Sequence, residues 1–398
     1  MTYLPRPLHA ALWLLATALV TACSSGNGSP FGNAPEPEDV VTVVAARAPD
    51  FSSGAISLVN GSTLEGQNNL ASTISDIRVR TAGEQYFVIE RFGSNQIKRF
   101  SLNTPNTPNL TASTQGVGET ADSNPADLII VSPTKGYLLR YGSGSLWIVN
   151  PSATNEASFF IDEIDLTHYD ADGVPEMIAG VVDNGRLFVA LQRLESFAAV
   201  KNGYVAVIDI NTDEEIVTGD DDTLPGIELP FRNPTGLVLD PGNAGLLLIA
   251  SGGFDGSFNP VFEGGIARIH NSSYAVDVLL EDGTADDAPF GQFGELAAVS
   301  GARAYFTAGT PFGAQTLYRF DPTSETAPVA VTGYADVEIG PLAVDPFDRL
   351  WVGRAESEAP GLDVLDFMSG EESRVGERID TELTPINIDF LVVPSLVN

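Results

Sequence analysis

Six segments of this chain open a predicted β-strand in a similar way, and this repeat restricts the possible folds more than any other feature of the sequence. The strand starts lie at residues 76–77, 125–128, 175–177, 234–237, 294–296 and 340–342. Each start is followed by a turn and then by an apolar run, as at 85–89 and 349–353. The starts are roughly 45 to 60 residues apart, which is the period expected for the four-stranded blades of a β-propeller.

A seventh blade is predicted from the two ends of the chain taken together. Residues 387–393 have the pattern of a further first strand, and the matching second and third strands lie at 41–44 and 54–59. Joining both ends in one sheet would hide two sheet edges and close the ring. The sequence therefore predicts an all-β fold, a seven-bladed β-propeller over residues 40–398 closed by pairing of its N- and C-terminal strands. An array of β-sandwiches would lack this complementarity of the ends.

Composition and charge agree with this fold and exclude one class of partner. The 39 glycines and 26 prolines fall mainly between the apolar runs, as in a chain of many strands and turns. The formal net charge is −33, with only 20 lysines and arginines. Sequence-independent binding of nucleic acid depends on basic side chains that neutralise phosphates, so we expect no nucleic-acid partner. The same charge disfavours binding to an anionic lipid surface.

The N-terminal segment predicts the cellular location. Residues 10–20 form an apolar stretch that is too short to span a bilayer, and it follows a region whose only full positive charge is Arg6. The stretch ends in Val20-Thr21-Ala22-Cys23, which resembles a bacterial lipobox. The resemblance implies a signal peptide over residues 1–22 and acylation of Cys23. The alternative is an ordinary secretory signal with an incidental cysteine.

The residues after Cys23 refine this expectation. Ser24 stands where an inner-membrane retention signal places Asp, so the resemblance favours a lipid anchor in the bacterial outer membrane, with the protein facing either the periplasm or the cell surface. Residues 23–39 are rich in Ser, Gly, Asn and Pro and have the composition of a flexible tether. Cys23 is the only cysteine, which excludes a disulfide within one molecule.

Five arginines share one position in the repeat, the end of the second strand of a blade. They are Arg47, Arg91, Arg140, Arg193 and Arg354. The second strand is antiparallel to the first and therefore ends on the face where the first begins. We expect these arginines to surround one mouth of the central channel. Aromatic residues follow within a few positions, namely Phe51, Phe92, Tyr141, Phe197 and, in a blade without the arginine, Phe254.

Two interpretations of these arginines remain open. Three of them share a blade with an acid at the start of the first strand, and the pairs are Asp76 with Arg91, Asp127 with Arg140 and Glu176 with Arg193. Arg47 and Arg354 lie in neighbouring blades without such an acid, so they could bind a carboxylate or a phosphate bidentately. Asp389 or a loop carboxylate is the alternative partner for these two arginines.

Two long loops between second and third strands are predicted on the same face, at 194–203 and 251–262. The second loop is rich in glycine and carries Phe254, Phe258 and Phe262. Exposed apolar loops on a rigid scaffold often serve recognition. The alternative is that these phenylalanines plug the channel or pack between blades.

Signals of catalysis and of metal binding are sparse. Apart from His9 in the signal segment, the histidines are His168 and His270, which belong to different blades, so a catalytic triad or a histidine metal centre is not indicated. Asp170 and Asp172 lie in an Asp-Ala-Asp-Gly segment that resembles the start of a calcium loop but lacks its remaining ligand positions. A structural calcium ion at these two residues is therefore one hypothesis, and a solvated Asp-Gly turn is the other. No further cofactor is predicted.

Two segments show a family resemblance. Residues 233–241 followed by 246–250 resemble the opening half of a YVTN-type propeller repeat, and residues 204–212 resemble its closing half. Weaker copies recur along the chain, as at 317–323. The repeats are degenerate, so the resemblance supports the fold more than a function. The family includes lipid-anchored surface propellers that capture cobalamin and pass it to an outer-membrane transporter, and this chain has a similar layout without a ligand motif that can be carried over.

A second resemblance concerns propeller lactonases, which hold one calcium ion in the channel with Glu, Asn and Asp side chains. Glu295, Asn233 and Asn387 could imitate that set, although no motif fixes them. A calcium-dependent, lactonase-like hydrolase is therefore an alternative function, and an envelope scaffold or adhesion protein is another.

The favoured prediction is a monomeric, non-enzymatic propeller on the outer membrane. Its ligand would be a small anion or an envelope protein, for example an outer-membrane transporter, bound by preorganised arginines and loop aromatics on one face. The candidate binding residues are Arg47, Arg91, Arg140, Arg193, Arg354, Phe92, Tyr141, Phe254 and Phe258.

Overall fold

The computed structural model describes residues 40–219, 223–243, 245–310, 313–367 and 370–393. The predicted signal peptide and tether, with Cys23, lie outside these residues. Within them the chain forms thirty β-strands and two single-turn 3₁₀ helices, Glu156–Ser158 and Thr167–Tyr169. No helix in this part of the chain is long and apolar enough to cross a membrane. The prediction of an all-β fold is confirmed.

The strands of the first four blades follow one another along the chain, after three N-terminal strands that belong to the seventh blade. The N-terminal strands are β1 (Val40–Arg47), β2 (Gly54–Asn60) and β3 (Gly66–Thr73). Blade 1 contains β4 (Ile77–Ala82), β5 (Gln85–Glu90), β6 (Gln96–Ser101) and β7 (Leu110–Ser113). Blade 2 contains β8 (Pro125–Ser132), β9 (Lys135–Arg140), β10 (Ser145–Val149) and β11 (Phe160–Asp165). Blade 3 contains β12 (Met177–Asp183), β13 (Arg186–Leu191), β14 (Tyr204–Asp209), β15 (Glu214–Glu215) and β16 (Ile227–Glu228). Blade 4 contains β17 (Pro234–Leu239), β18 (Gly245–Ala250), β19 (Gly265–His270) and β20 (Val276–Glu281).

The remaining blades complete the ring. Blade 5 contains β21 (Gln292–Ser300), β22 (Arg303–Gly309), β23 (Gln315–Phe320) and β24 (Val329–Ala330). Blade 6 contains β25 (Ile339–Val344), β26 (Leu350–Arg354), β27 (Gly361–Asp366), β28 (Ser373–Arg374) and β29 (Ile379–Asp380). The last strand, β30 (Thr384–Val392), joins the three N-terminal strands in the order β30-β1-β2-β3 and forms blade 7. The predicted closure of the ring by its two terminal strands is confirmed.

Packing between neighbouring blades explains why the second strands are continuous apolar runs. Side chains alternate between the two faces of a sheet, and in a propeller both faces are covered. In β5, Tyr86 and Val88 pack toward blade 7, whereas Phe87 and Ile89 pack toward blade 2. The described residues form seven buried apolar clusters, and each joins two adjacent blades. The core is thus a ring of interfaces between sheets.

The strand registers place the predicted arginines on one face. Arg47 lies opposite Thr384, Arg140 opposite Pro125 and Arg354 opposite Ile339, which are the first residues of the innermost strands of their blades. We call this side of the ring, where first strands begin and second strands end, the mouth face.

We expect the terminal strand to contribute strongly to stability. Leu391 is 1% exposed in the cluster between blades 7 and 1, so Leu391→Ala should lower the free energy of unfolding by about 2–5 kcal/mol. Its neighbour Val392 is 39% exposed, and Val392→Ala should change stability by only about 0.5 kcal/mol. Urea unfolding of both variants measures this difference, and equal midpoints would show that the closing blade contributes little to stability.

Candidate functional site

Most of the predicted arginines are engaged by the protein itself. Arg140 is fully buried, donates to the Thr114 carbonyl at 3.0 Å and pairs with Glu119. Its guanidinium lies 4.3 Å from the centre of the Trp147 ring. The pairing with Asp127 that the sequence suggested does not form. Arg140 therefore links a loop to blade 2 and is not available to a ligand.

Arg91 and Arg193 have the same kind of structural role. Arg91 donates to Asp76 at 3.1 Å, as the structural interpretation proposed. Arg193 donates to the Tyr169 carbonyl at 2.7 Å and to the Asn202 carbonyl at 3.2 Å, and not to Glu176. It also lies 4.6 Å from the centre of the Tyr204 ring.

The two arginines without an in-blade acid differ from each other. Arg354 is buried and donates to Asp363 at 3.2 Å and to Glu356, so its charge is balanced by two protein carboxylates. Arg47 is half-buried, packs 4.3 Å from the centre of the Phe51 ring and forms no hydrogen bond through its side chain to any described residue. Burial lowers the pKa of Arg47, and the nearby Asp76 opposes that shift.

The mouth face carries an aromatic cavity of about 660 Å³, which we call the cup. Blades 2, 3 and 4 contribute to it. Its lining residues are Tyr141, Gln192, Leu194, Phe197, Ala199, Asn233, Gly253, Phe254 and Phe258. Three predicted binding residues, Tyr141, Phe254 and Phe258, meet in this cavity. Phe92 is not among its lining residues.

Two phenylalanines of the cup are presented to solvent by strained backbone. Phe197 is 76% exposed with a φ of 71°, and Phe258 is 75% exposed with a φ of 62°. Positive φ is rare for bulky residues, and such strain persists only where the surrounding structure enforces it. Both rings belong to the long loops predicted from the sequence. The loops hold the rings outward instead of folding them into the channel.

The two loops of the cup are fixed to each other. The Ala199 amide donates to the Phe254 carbonyl at 2.8 Å, and Gln292 of blade 5 donates from Nε2 to the Gly253 carbonyl at 2.6 Å. Gly253 has a φ of 74°, and a Cβ atom there would lie 2.8 Å from the Cβ of Ala199. Only glycine permits this approach. The close contact and the two hydrogen bonds hold the loops together around the cavity.

Polar groups at the base of the cup form a short chain of hydrogen bonds. The Tyr141 hydroxyl donates to Oε1 of Gln192 at 2.9 Å, and Nε2 of Gln192 donates to the Pro234 carbonyl at 2.9 Å. Asn233 donates from Nδ2 to the Ser251 hydroxyl at 2.8 Å. Burial raises the pKa of Tyr141 to about 12, so the hydroxyl keeps its proton at neutral pH. Sequence reasoning missed Gln192, which directly precedes Arg193.

Glu176 lies close enough to Tyr141 to affect its ionisation. Burial raises the pKa of Glu176 to about 7, although its carboxylate accepts a hydrogen bond from the Leu194 amide at 2.9 Å. Asp172 and Asp170 raise this pKa further, and Lys201 opposes them. A carboxyl group that titrates near neutrality beside a cavity can act as a general acid or base.

The residues of the calcium hypothesis already have protein partners. The Lys201 ammonium donates to both oxygens of Asp170, at 3.1 and 3.3 Å, and pairs with Glu195 at 2.9 Å. Asp172 accepts a hydrogen bond from the Val174 amide at 2.9 Å. In the part of the chain that the structure describes, no three His, Cys, Asp or Glu side chains are grouped so that they could hold a metal ion.

The central channel holds two arginines, Arg78 and Arg80, that sequence reasoning missed. Residues from the innermost strand of every blade line a cavity of about 170 Å³. Arg80 of blade 1 binds Asp127 of blade 2 bidentately at 2.6 and 2.7 Å. The alternation Ile77-Arg78-Val79-Arg80 was the available signal, because every second side chain of an innermost strand faces the channel.

The three residues that could imitate a lactonase calcium set lie in two different cavities. Glu295 and Asn387 line the channel cavity, whereas Asn233 lines the cup. The Asn387 side-chain oxygen accepts a hydrogen bond from the Val79 amide at 2.8 Å and joins blade 7 to blade 1.

Comparisons with solved structures agree with the propeller fold. A periplasmic gluconolactonase from Pseudomonas aeruginosa superposes with a TM-score of 0.59 at 14% identity, covering 89% of this chain and 100% of that one. A candidate 6-phosphogluconolactonase from Bacteroides uniformis gives 0.58 at 12% identity, with 88% and 99% coverage. Virginiamycin B lyase from Staphylococcus aureus gives 0.51 at 12% identity, with 79% and 91% coverage.

The chain therefore has the fold of a seven-bladed β-propeller, and similarity at this level of identity extends to the fold alone. The sequence matches no protein-family model and no curated protein.

Glu176 should make stability depend on pH in a defined window. Its folded pKa is raised from 4.5 to about 7, so the folded state holds the proton more tightly than the unfolded chain. The contribution to stability is complete below pH 4.5 and is lost as the pH rises to about 7. Glu176→Gln keeps the acceptor for the Leu194 amide and removes the titrating group. As the pH rises from 4.5 to about 7 the wild type loses this contribution and the variant does not, so the variant should become more stable relative to the wild type.

Urea midpoints of wild type and Glu176→Gln at about pH 4.5 and about pH 8 measure the effect. Glu84→Gln is the matched control, since Glu84 is exposed in the turn between β4 and β5. Parallel pH curves for wild type and Glu176→Gln would contradict the assignment.

Proposed function

We propose that this protein is a lipid-anchored propeller of the outer membrane that captures a ligand with an apolar part in the cup on its mouth face. The observation that most supports ligand capture is the pair of exposed phenylalanines, Phe197 and Phe258. Strained backbone holds both rings at the rim of the cavity. A cavity lined by aromatic rings with a few fixed polar groups is typical of sites for small molecules.

Energetic considerations support binding over a purely structural role for these rings. Burying a phenylalanine side chain stabilises by about 1.5–3 kcal/mol, and a residue with unfavourable backbone dihedrals costs about 1–3 kcal/mol. Phe197 and Phe258 combine the strain with exposure, so neither contributes as a core residue would. A ligand that covers both rings would recover the hydrophobic contribution.

The structure also supports a change in the class of ligand. The sequence suggested an anion held by Arg47 and Arg354, but Asp363 and Glu356 already balance the charge of Arg354. The groups that converge in the cup are neutral, namely the aromatic rings and the polar side chains of Tyr141, Gln192 and Asn233. The proposed ligand therefore has an apolar body and a hydrogen-bonding end.

Fluorescence titration with the neutral apolar probe N-phenylnaphthylamine tests the cup. We expect the double variant Phe197→Ser, Phe258→Ser to bind the probe at least about tenfold more weakly, which corresponds to about 1.4 kcal/mol. The matched control is Phe51→Ser, Phe92→Ser, since these phenylalanines are 61% and 66% exposed and do not line the cup. Equal affinities for the two double variants would refute capture at the cup.

Native mass spectrometry of protein extracted gently from its own membrane then identifies what occupies the cup. A bound small mass that is lost in the Phe197→Ser, Phe258→Ser variant supports capture. A co-purifying envelope protein without a small mass would support the scaffold or adhesion alternative instead.

A second candidate function is lactone hydrolysis. The observation in its favour is Glu176, with a pKa of about 7 close to the cup, and two proteins of similar fold are described as lactonases. The test is whether the protein hydrolyses glucono-δ-lactone faster than buffer alone does. If it does, and if Glu176→Gln abolishes this activity, the protein is a hydrolase and the capture proposal is wrong. Loss of that turnover on chelation would identify the metal-dependent form of the reaction.

The lipid anchor has its own test. We expect an alkyne-tagged palmitate to label the wild type in bacterial cells and not to label Cys23→Ser, because acylation requires the thiol. Ser24→Asp is the control, since it should keep the label and move the protein to the inner membrane. Labelling of the Cys23→Ser variant, or a wild type without label, would refute the anchor.

A further inference from the structure

The channel cavity contains an arginine with unused hydrogen-bond donors. Arg78 and Arg80 both belong to β4, and Arg80 already occupies both oxygens of Asp127, at 2.6 and 2.7 Å. Arg78 makes one long contact with the same carboxylate, at 3.4 Å. Its remaining guanidinium nitrogens donate to no other described residue. Since a guanidinium carries five N–H donors, Arg78 can still bind an anionic group bidentately.

The same cavity contains an acid with unused acceptors. Glu295 lies on β21 of blade 5, and its backbone amide is fixed by a hydrogen bond to the Thr307 hydroxyl at 2.9 Å. Its carboxylate accepts no hydrogen bond from the described residues, and its side chain is open to the channel. Burial within the ring raises the pKa of Glu295, and Arg78 opposes that shift.

The positions of Arg78 and Glu295 suit a ligand that joins them. Blades 1 and 5 are as far apart as a ring of seven blades allows, and the two side chains form no ion pair with each other. Both nevertheless line the same cavity of about 170 Å³, so one small ligand in it can contact both side chains. Two polar side chains of blade 7 near this region already accept hydrogen bonds from the backbone of blade 1. Asn387 accepts from the Val79 amide and Asp389 from the Thr81 amide, both at 2.8 Å.

We propose that the channel cavity binds a small zwitterion, with its carboxylate on Arg78 and its ammonium group on Glu295. A simple anion would leave the Glu295 carboxylate unpaired beside it, and a simple cation would leave Arg78 unpaired. A molecule that carries both charges satisfies both groups. The cavity of about 170 Å³ is several times the roughly 30 Å³ that one molecule of liquid water occupies. This site is separate from the cup and does not depend on the function proposed for it.

Isothermal titration calorimetry with glycine, β-alanine and γ-aminobutyrate tests the site, since these zwitterions differ only in the distance between their charges. We expect at least one of them to bind and the isolated charges, propionate and propylamine, to bind at least about tenfold more weakly. Glu295→Gln and Arg78→Gln should each weaken the zwitterion by a similar factor. The matched controls are Glu377→Gln and Arg374→Gln, which change an exposed pair on blade 6.

The outcomes separate binding from folding and from the cup. Glu295 makes no hydrogen bond through its side chain to described residues, and its pKa is raised in the folded state. Glu295→Gln should therefore be at least as stable as the wild type in urea at neutral pH, so that a loss of affinity reports on binding and not on unfolding. The Phe197→Ser, Phe258→Ser variant should keep full affinity for the zwitterion. The proposal is overturned if none of the three zwitterions binds, if propionate binds equally well, or if Glu295→Gln binds like the wild type.

Discussion

The pairing of β30 with β1 is the interaction on which the rest of the structure depends. Each of the seven apolar clusters lies between two blades, so every blade needs a neighbour on both sides, and the last interface exists only because the two ends of the chain share a sheet. Closure also fixes the width of the channel and thereby the positions of the charges that face it. The mouth face is a consequence of the same geometry, because first-strand starts and second-strand ends meet on one side of a closed ring.

In this acidic chain most of the arginines at the mouth face and in the channel serve the scaffold. Arg140 and Arg354 are buried between carboxylates and aromatic rings, and Arg80 joins blade 1 to blade 2 through Asp127. A buried guanidinium is tolerated when its donors are satisfied, and carboxylates such as Glu119 and Asp363 accept from these arginines. The exposed rings of Phe197 and Phe258, the Glu295 carboxylate and most of the Arg78 guanidinium donors have no such role among the described residues, and these are the groups to which we assign the two proposed sites.

The repeat, the blade count and the closure could be predicted from the sequence. A strand that is buried on both faces has a continuous run of apolar residues, such as 85–89, and such runs can be recognised without the structure. The loops of the cup were predictable for a similar reason, since Phe254 and Phe258 stand in a glycine-rich segment outside any run. The partners of the arginines could not be predicted from the sequence. Glu119, which pairs with Arg140, lies in a loop, and Asp363, which pairs with Arg354, lies on a third strand, and both positions depend on how the whole blade folds. The base of the cup was hidden as well, because Gln192 meets Tyr141 only when blades 2 and 3 are adjacent.

The split blade also has a mechanical consequence. Val40 begins β1, which is hydrogen-bonded along its length to β2 on one side and to β30 on the other. A force applied to the chain ahead of Val40 would therefore load many hydrogen bonds at once in shear, instead of peeling an edge strand one bond at a time. Resistance to such a force is governed by the rate of unfolding rather than by equilibrium stability. A ring closed in this way is suited to being held by its N-terminal end.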